Sequence, residues 1–192
     1  MILPVVAYGM PVLRKRGELI STDYPDLPQL IANMWETMDH AGGVGLAAPQ
    51  VSASLRLFVI DSTSGFAKMP SDKKLPFRDA PGIRKVFLNP VIEKYSNENW
   101  LNEEGCLSIP DIHEKVSRSR SIVMSYQDEQ FAWHTDTFYD ETARIIQHEY
   151  DHIEGRLFLD TLSPLRRRLL KGKLKKIGHQ RIRTRYPMLF AD

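Results

Sequence analysis

The chain has 192 residues, of which 42% are hydrophobic and 26% charged, with one cysteine and a formal net charge of +2. The ordinary apolar fraction excludes a disordered, collagen-like or coiled-coil protein, and the single cysteine excludes an internal disulfide. No apolar run reaches the roughly 18 residues of a membrane-spanning helix and the proline-broken start is a poor signal peptide, so we expect one compact cytoplasmic domain without a membrane partner.

The first predicted element is a helix over residues 26–42. Its apolar residues recur on one face, Asp26 stands where an N-cap belongs, and Gly42 ends the helix. Residues 56–61 form an apolar run that predicts a buried strand. Residues 62–82 are rich in Ser, Gly, Pro, Lys and Asp, so we expect a long surface loop there.

Extended structure is predicted for the middle of the chain. Residues 83–95 read as one extended segment that Asn89-Pro90 interrupts, which favours an edge or a bend. Residues 112–127 and 130–137 alternate enough to form strands. Strands that follow one another, rather than alternating regularly with helices, predict an α+β fold.

Two helices are predicted after the strands. The first spans residues 140–154 and carries the sharpest motif of the chain, and the second opens at Ser163-Pro164 and closes at Gly178. The predicted apolar stripe of the second helix includes Leu165, Leu169 and Ile177.

The charge is divided unevenly along the chain. Residues 1–160 carry 16 basic and 23 acidic residues, a net of −7, whereas residues 161–192 carry 10 basic residues and one acid, a net of +9. Such an uneven distribution of charge indicates what kind of partner each part of the chain can bind. Residues 163–186 are therefore either a solvated helix face or a contact for nucleic acid.

The helix at 140–154 contains the motif His-Glu-x-x-His. His148 and His152 are four residues apart, so both imidazoles project from one face and can share a metal ion. Glu149 lies one step round the helix, within reach of a water on that ion, which suits a general base. The alternative is a surface helix with two histidines among acids.

A catalytic metal site usually has three protein ligands, so a third must lie elsewhere. Downstream, Phe158 replaces the histidine of the extended protease pattern, and Glu154 points off the other side of the helix. Upstream lies Cys106, where the preceding glycine and a nearby serine suggest a tight turn that presents the thiol. A thiolate and two imidazoles suit Zn²⁺ or Fe²⁺, and the alternative is an inert buried cysteine.

The segment GVGLAAPQ at residues 43–50 matches a loose dinucleotide-binding pattern. It follows a helix where a strand is required, and Pro49 would break the helix expected after it, so we expect no nucleotide cofactor. Two interpretations stay open from these residues alone. Composition favours a plain turn, and the other is a close backbone approach to a ligand, with Gln50 as a side-chain donor.

Three motifs occur together and in order: GVGLAAPQ (43–50), EGCLS (104–108) and QHEYDH (147–152). In this combination the chain resembles the peptide deformylase family, from about residue 4 to residue 165. The resemblance implies an α+β fold in which mixed or antiparallel sheets pack around a central HExxH helix, with a C-terminal helix. It implies a metal-dependent hydrolase that removes the N-formyl group from the formyl-methionine of newly made polypeptides and releases formate.

The resemblance also implies a division of the chain. Residues 1–162 would form the deformylase catalytic domain, and residues 163–192 would be a basic C-terminal helix and tail of the same domain. The expected partners are N-formyl-methionyl nascent peptides and, through the basic helix, the ribosome or its RNA.

The motif positions imply which residues carry the chemistry. Cys106, His148 and His152 match the metal ligands, and the ion would be a single Fe²⁺, replaceable by Zn²⁺, Ni²⁺ or Co²⁺. Glu149 matches the catalytic carboxylate. Gln50 and the backbone N–H of Leu107 match the pair that stabilises the oxyanion.

Further positions are implied to contact the substrate. The expected substrate-binding residues are Val44, Gly45, Glu104, Gly105, Arg144 and Ile145. Three of these, Val44, Arg144 and Ile145, would border the methionine pocket, and Arg118 would brace Glu104.

Two positions depart from the family pattern. Gly42 stands where many relatives carry an acid, and His113 stands where a basic residue, often arginine, is common. The loop 62–82 also looks longer than usual. These departures concern the rim of the cleft rather than the metal or the base.

Two other classes of function stay open. A zinc peptidase would use the same His-Glu-x-x-His helix but needs a third ligand that the downstream sequence lacks. A non-enzymatic RNA- or ribosome-binding protein with a structural metal would explain the basic residues in 163–186.

Overall fold

The structure, a computed structural model, describes residues 1–68, 70, 77–180 and 182–191. Its elements follow in the order β1 (Val5–Val6), α1 (Leu27–Ala41), β2 (Gly45–Ala47), β3 (Leu57–Asp61), α2 (Thr63–Lys68), β4 (Arg84–Tyr95), β5 (Asn99–Cys106), β6 (Ile109–Ser119), β7 (Ser121–Gln127), β8 (Trp133–Tyr139), α3 (Asp140–Ile153), α4 (Pro164–Gly178) and β9 (Met188–Leu189). Short 3-10 turns occur at Pro11–Arg14, Ala48–Val51 and Phe158–Thr161. Among these described helices none has both the length and the apolar character to cross a bilayer.

The main sheet consists of five antiparallel strands in the order β2-β3-β4-β7-β8. Leu57 and Val59 of β3 pack in the same apolar cluster as the buried face of α1. The alternate residues Phe58 and Ile60 pack in a second cluster with residues of α3. Residues 57–60 of this strand are all apolar because a helix covers each face of the sheet.

The Asn89-Pro90 pair produces a bend inside β4. Asn89 has a φ of +48°, and the pairing of β4 with β7 shifts register between Leu88 and Val91. The Asn89 side chain secures the bend, since its amide donates to the carbonyl of Ile20 and accepts from the Ile20 N–H, both at 2.8 Å. The predicted interruption is confirmed as a bend. A central strand can contain this proline because the bulge leaves it out of the hydrogen-bonded ladder, where its missing N–H would otherwise cost a bond.

A separate hairpin of β5 and β6 packs against the other side of α3. Cys106 pairs with Ile109 across a two-residue turn of Leu107 and Ser108. The predicted tight turn after the cysteine is therefore confirmed. Strand β5 was not predicted, because four of its eight residues are Asn or Glu and its sequence shows no apolar alternation.

The first two helices differ from expectation in their details. Gly42 ends α1 in the left-handed conformation, with a φ of +70°, as predicted. Asp26 itself has a φ of +54° and its side chain caps no N–H, so the capping prediction was wrong. The predicted loop contains helix α2, whose Thr63 N–H donates to Asp61 at 2.9 Å. Residues 69 and 71–76 of that loop prediction lie outside the described residues.

The C-terminal helix α4 begins and ends where the sequence indicates. The hydroxyl of Ser163 accepts from the backbone N–H of Arg166 at 3.2 Å, and the helix runs to Gly178. The predicted stripe is wrong at Leu165 and Leu169, which are 69% and 65% exposed. The buried face of this helix consists of Leu170, Leu174 and Ile177.

Beyond α4 the chain returns across the molecule. Met188 and Leu189 of β9 pair in parallel with Val5 and Val6 of β1. Ile182, Met188 and Phe190 pack against the apolar cluster that Cys106 also contacts. The fold is α+β, as predicted, with the end of the described chain beside the hairpin turn.

Candidate metal centre

The structure brings together the three predicted metal ligands. Cys106, His148 and His152 offer ligand atoms that all lie within 4.8 Å of one another. The two histidines lie one turn apart on α3, with ring centroids 5.1 Å apart, and the β5–β6 turn delivers the thiol. Cys106 Sγ lies 3.3 Å from Nε2 of His152.

This donor set fits a borderline-soft divalent ion. One thiol and two imidazoles are common ligands of zinc and iron, and they leave a coordination position open for water. Both histidines are buried, with relative exposures of 8% and 1%. Burial lowers the pKa of His152, which favours the neutral imidazole that a metal ligand needs.

Glu104 organises the polar groups behind the metal ligands. Its carboxylate lies 3.0 Å from Nδ1 of His148 and accepts two hydrogen bonds from Arg118, both at 3.0 Å. Burial alone would raise the pKa of Glu104, but the bonds from His148 and Arg118 hold it well below its usual range. The predicted brace from Arg118 is confirmed, and Arg118 also reaches Asp151 at 2.5 Å.

Arg144 belongs to the same network. Its guanidinium donates to Glu104 at 2.6 Å and to the carbonyls of Val116 and Trp100 at 3.0 and 2.8 Å. The guanidinium also lies over the Trp100 ring, 4.5 Å from its centroid. Glu104 and Arg144 do line the central cavity, but their charged groups bind each other and the surrounding protein.

Glu149 is buried next to a glycine. Its relative exposure is 4%, and its Oε2 is a buried atom without a hydrogen-bond partner among the described residues. A Cβ added to Gly45 would lie 2.3 Å from Oε1 of Glu149, so only glycine fits at this position. Burial raises the pKa of Glu149 to about 7. A carboxylate with that pKa can take and return a proton near neutral pH.

Gln50 is fixed with its amide nitrogen toward the site. Its Oε1 accepts from the N–H of Ala47 at 2.8 Å, which leaves Nε2 to donate to the Ser108 hydroxyl at 3.2 Å. Nε2 also lies 3.6 Å from Cys106 Sγ. The plain-turn interpretation of residues 43–50 was therefore wrong, since they form β2 and a 3-10 turn that aims Gln50 at the thiol.

The rejected downstream ligands are occupied elsewhere. Glu154 pairs with Arg56 at 2.6 Å, away from the site. Phe158 packs against the ring of His148, with 5.8 Å between centroids and 28° between planes. An aromatic side chain thus buttresses a ligand at the position where the extended protease pattern has a histidine.

A cavity of about 600 Å³ opens over the ligands. All six predicted substrate-binding residues line it, with Val44 41% exposed and Ile145 7% exposed. His113 forms part of the rim, and a Cβ on Gly105 would lie 2.7 Å from its ring. Residues 183–186 also line this cavity, although no sequence motif predicted a place for them there. The period-two alternation of Arg183, Thr184, Arg185 and Tyr186 was the available sign of an extended segment.

Comparisons with known proteins agree on one family. The family model described as polypeptide deformylase matches residues 2–168. A peptide deformylase of Christiangramia forsetii is 49% identical over 195 aligned positions, covering 100% of this chain and 97% of that protein. A peptide deformylase of Flavobacterium johnsoniae is 49% identical over 193 positions, with coverages of 100% and 97%.

Solved structures of the same family share the fold. A plant peptide deformylase superposes with a TM-score of 0.79 at 31% identity, covering 93% of this chain and 90% of that one. The peptide deformylase of Plasmodium falciparum gives a TM-score of 0.78 at 30% identity, with coverages of 92% and 95%.

Proposed function

The chain belongs to the peptide deformylase family, a family of metal-dependent hydrolases that remove the N-formyl group of new polypeptides, and we propose which residues of this chain carry out the reaction. Cys106 and the two histidines of α3 hold the metal ion, and Glu149 moves the proton. The observation that carries this assignment is the convergence of the three ligand atoms within 4.8 Å, beside a buried carboxylate.

One ion binds per chain, and we assign it as Fe²⁺, replaceable by Zn²⁺, Ni²⁺ or Co²⁺. The mixed thiolate and imidazole ligands favour ions of this class over Mg²⁺ or Ca²⁺, which prefer oxygen. When bound, such an ion lowers the pKa of water and polarises the formyl carbonyl. Glu104 holds His148 through Nδ1, which leaves Nε2 as the ligand atom of that histidine.

Glu149 acts as base and then as acid. Its carboxylate accepts a proton from the water that attacks the formyl carbon, and it then gives that proton to the departing amine nitrogen. The C–N bond of the formamide breaks as the new C–O bond is kept, so the products are formate and a free amino terminus. The pKa of about 7 suits both transfers at neutral pH.

The developing negative charge on the formyl oxygen requires fixed donors. Gln50 supplies Nε2, held in place by the bond from the Ala47 N–H to its Oε1, and Leu107 supplies its backbone N–H. A donor in such a position typically lowers the activation barrier by about 2.7–4 kcal/mol. Both groups belong to rigid turns, one after β2 and one between β5 and β6.

The substrate lies between the edge of β2 and the β5–β6 turn. The methionine side chain extends toward Val44 and Ile145, and the peptide backbone passes Gly45 and Gly105. Gly45 and Glu149 lie so close that a Cβ on Gly45 would come within 2.3 Å of the carboxylate, and we propose that this narrow space surrounds the reacting carbon. A formyl carbon carries only hydrogen beside its oxygen and nitrogen, so this crowding admits a formamide and rejects an ordinary peptide bond.

Formate release tests the proposal directly. The Fe²⁺-loaded protein, kept anaerobic, is assayed with formyl-Met-Ala-Ser, with acetyl-Met-Ala-Ser and with an unformylated peptide. We expect formate from the first peptide and no product from the others. A fully metallated protein that releases no formate, or that cleaves internal peptide bonds, would overturn the proposal, and the second result would favour the zinc peptidase.

We also propose that α4 brings the enzyme to the cytoplasmic ribosome, where formylated chains emerge. Arg167, Arg168, Lys171, Lys173, Lys175 and Lys176 are all exposed on this helix. A face of this kind neutralises phosphates, and its binding to ribosomal RNA should weaken steeply as salt is raised. Unchanged ribosome binding after Lys171→Glu and Lys173→Glu would argue against this contact.

A further inference from the structure

Residues 182–190, here called the C-terminal strap, form one wall of the catalytic cavity. The chain leaves α4 at Gly178, and the strap then ends on the parallel pairing of β9 with β1. The N–H of Val5 donates to the carbonyl of Pro187 at 2.9 Å, and that of Ala7 to Leu189 at 2.7 Å. Residues 183–186 thereby lie in the cavity wall together with Cys106 and Glu149.

Tyr186 attaches the strap to the β5–β6 turn. Its hydroxyl donates to the carbonyl of Leu107 at 2.8 Å, one residue after Cys106. Thr184 contributes a second local bond, from its hydroxyl to the carbonyl of Tyr186 at 2.7 Å. The strap is therefore held at fixed distance from the metal ligands.

Two arginines make up the exposed part of what the strap contributes to the cavity wall. Thr184 and Tyr186 are partly buried, whereas Arg183 and Arg185 are exposed. Residues two apart in an extended segment lie on the same side, about 6–7 Å from each other. In the part of the chain that the structure describes, no ion pair involves either guanidinium.

This charge contrasts with the rest of the cavity. Arg144, the other arginine of the wall, is committed to Glu104 and to two backbone carbonyls. Asp111 and Glu103 are exposed acids elsewhere in the lining. The strap is thus the basic side of a cleft whose remaining exposed charges are acidic.

We propose that Arg183 and Arg185 bind carboxylates on the substrate residues that follow the formyl-methionine. The inference rests on the proposed function, because it takes the formyl group to lie at the metal centre and the peptide to leave through the open side of the cavity. Along that path the peptide passes the strap. The arginines then make this enzyme prefer nascent chains with an acidic residue soon after the start.

The test is a scan of formyl-Met-Ala-Ala-Ala-Ala amides in which one alanine at a time becomes Asp or Asn. Amidation removes the terminal carboxylate, so the added side chain is the single difference in charge. We expect kcat/KM to be about two- to fivefold higher for Asp than for Asn at one or two positions, as for an exposed ion pair. The ratio should fall toward one at high ionic strength.

Two variants locate the effect. Arg183→Gln with Arg185→Gln should remove the preference for Asp, and Arg183→Glu with Arg185→Glu should reverse it in favour of Lys-containing peptides. The matched control is Lys15→Gln with Lys94→Gln, which removes the same charge from exposed positions that do not line this cavity.

The outcomes separate this inference from the proposed function. Formate release from the neutral peptide reports on the catalytic site alone. If that peptide is deformylated while the Asp-to-Asn ratio is one at low salt, Asp111 and Glu103 cancel the strap and the inference is wrong. It is equally wrong if the control pair changes the ratio as much as the strap pair does.

Discussion

Oε2 of Glu104 lies 3.0 Å from Nδ1 of His148, so that Nε2 would be the nitrogen that holds a metal ion. The bond fixes the tautomer and the plane of this imidazole, because only Nε2 is then left to face Cys106. The carboxylate can play this role while buried because Arg118 and Arg144 compensate its charge. The ligand geometry therefore depends on a residue that is not itself a ligand.

Replacing this carboxylate with an amide should weaken metal binding. Glu104→Gln keeps the size of the side chain but removes its charge, so the affinity for Zn²⁺ or Co²⁺ should fall by about 10- to 100-fold. Competition against a chromophoric chelator measures this change. Glu98→Gln is the control, since the Glu98 side chain is 68% exposed and its one ion pair among the described residues is with Arg120 on the surface. Equal affinities for the two variants would contradict the role of Glu104.

Removal of the thiol should empty the site. Cys106→Ala leaves two imidazoles, and we expect a purified variant with substoichiometric metal by elemental analysis. His113→Ala is the matched control, because His113 lines the same cavity but is not in the ligand cluster. A Cys106→Ala protein with one tightly bound ion would remove the cysteine from the ligand set.

Loss of the base should slow the reaction without releasing the metal. Glu149→Gln removes the proton acceptor, and the rate should fall by about 10²- to 10⁴-fold, the usual size of an acid–base contribution. Metal content and formate release are measured on the same preparation. A variant that keeps both its metal and its full rate would show that another group takes the proton.

A single methyl group at Gly45 should also stop catalysis. In Gly45→Ala the new Cβ would lie 2.3 Å from Oε1 of Glu149, so the carboxylate must move. We expect at least a tenfold loss of kcat by the size of acid–base effects, with the metal retained. Gly172→Ala is the control, because its Cβ meets nothing within 4 Å on α4. That change should leave activity intact and slightly stabilise the helix.

The ion pair between Arg14 and Asp160 should make stability depend on pH. Burial by itself would raise the pKa of Asp160, but hydrogen bonds from Arg14 and from the Leu157 N–H lower it below 3.8. A carboxyl whose pKa is lower in the folded state stabilises the fold above its unfolded pKa and loses that effect as pH falls through the folded value. The midpoint temperature of thermal unfolding of Asp160→Asn should therefore equal that of the unchanged protein at acidic pH. At neutral pH the midpoint of the variant should be lower. A difference that is constant from pH 2 to 7 would contradict the assignment.

The helical part of the site could be predicted from sequence because it is local. His148, Glu149 and His152 lie on one helix, so their spacing alone determines which side chains share a face. The same reasoning predicts that Glu154 points away, where it pairs with Arg56. No distant contact is needed for either conclusion.

The approach of Cys106 and Gln50 could not be derived in this way. Both depend on how the β5–β6 hairpin and the segment after α1 pack against α3, which is decided by contacts between residues far apart in sequence. The motif resemblance supplied these positions, whereas composition favoured a plain turn for residues 43–50. Leu165 shows the same limit, since its spacing suits a stripe but the helix turns a different face to the core.

The pairing of β1 with β9 has a consequence for how the enzyme comes into being. Met188 is synthesised 183 residues after its partner Val5, yet the cavity wall depends on the pairing of the two strands. A copy whose translation has reached only the end of α4 lacks the strap. The catalytic cavity of an enzyme that acts on nascent chains is therefore incomplete until its own strap has left the ribosome.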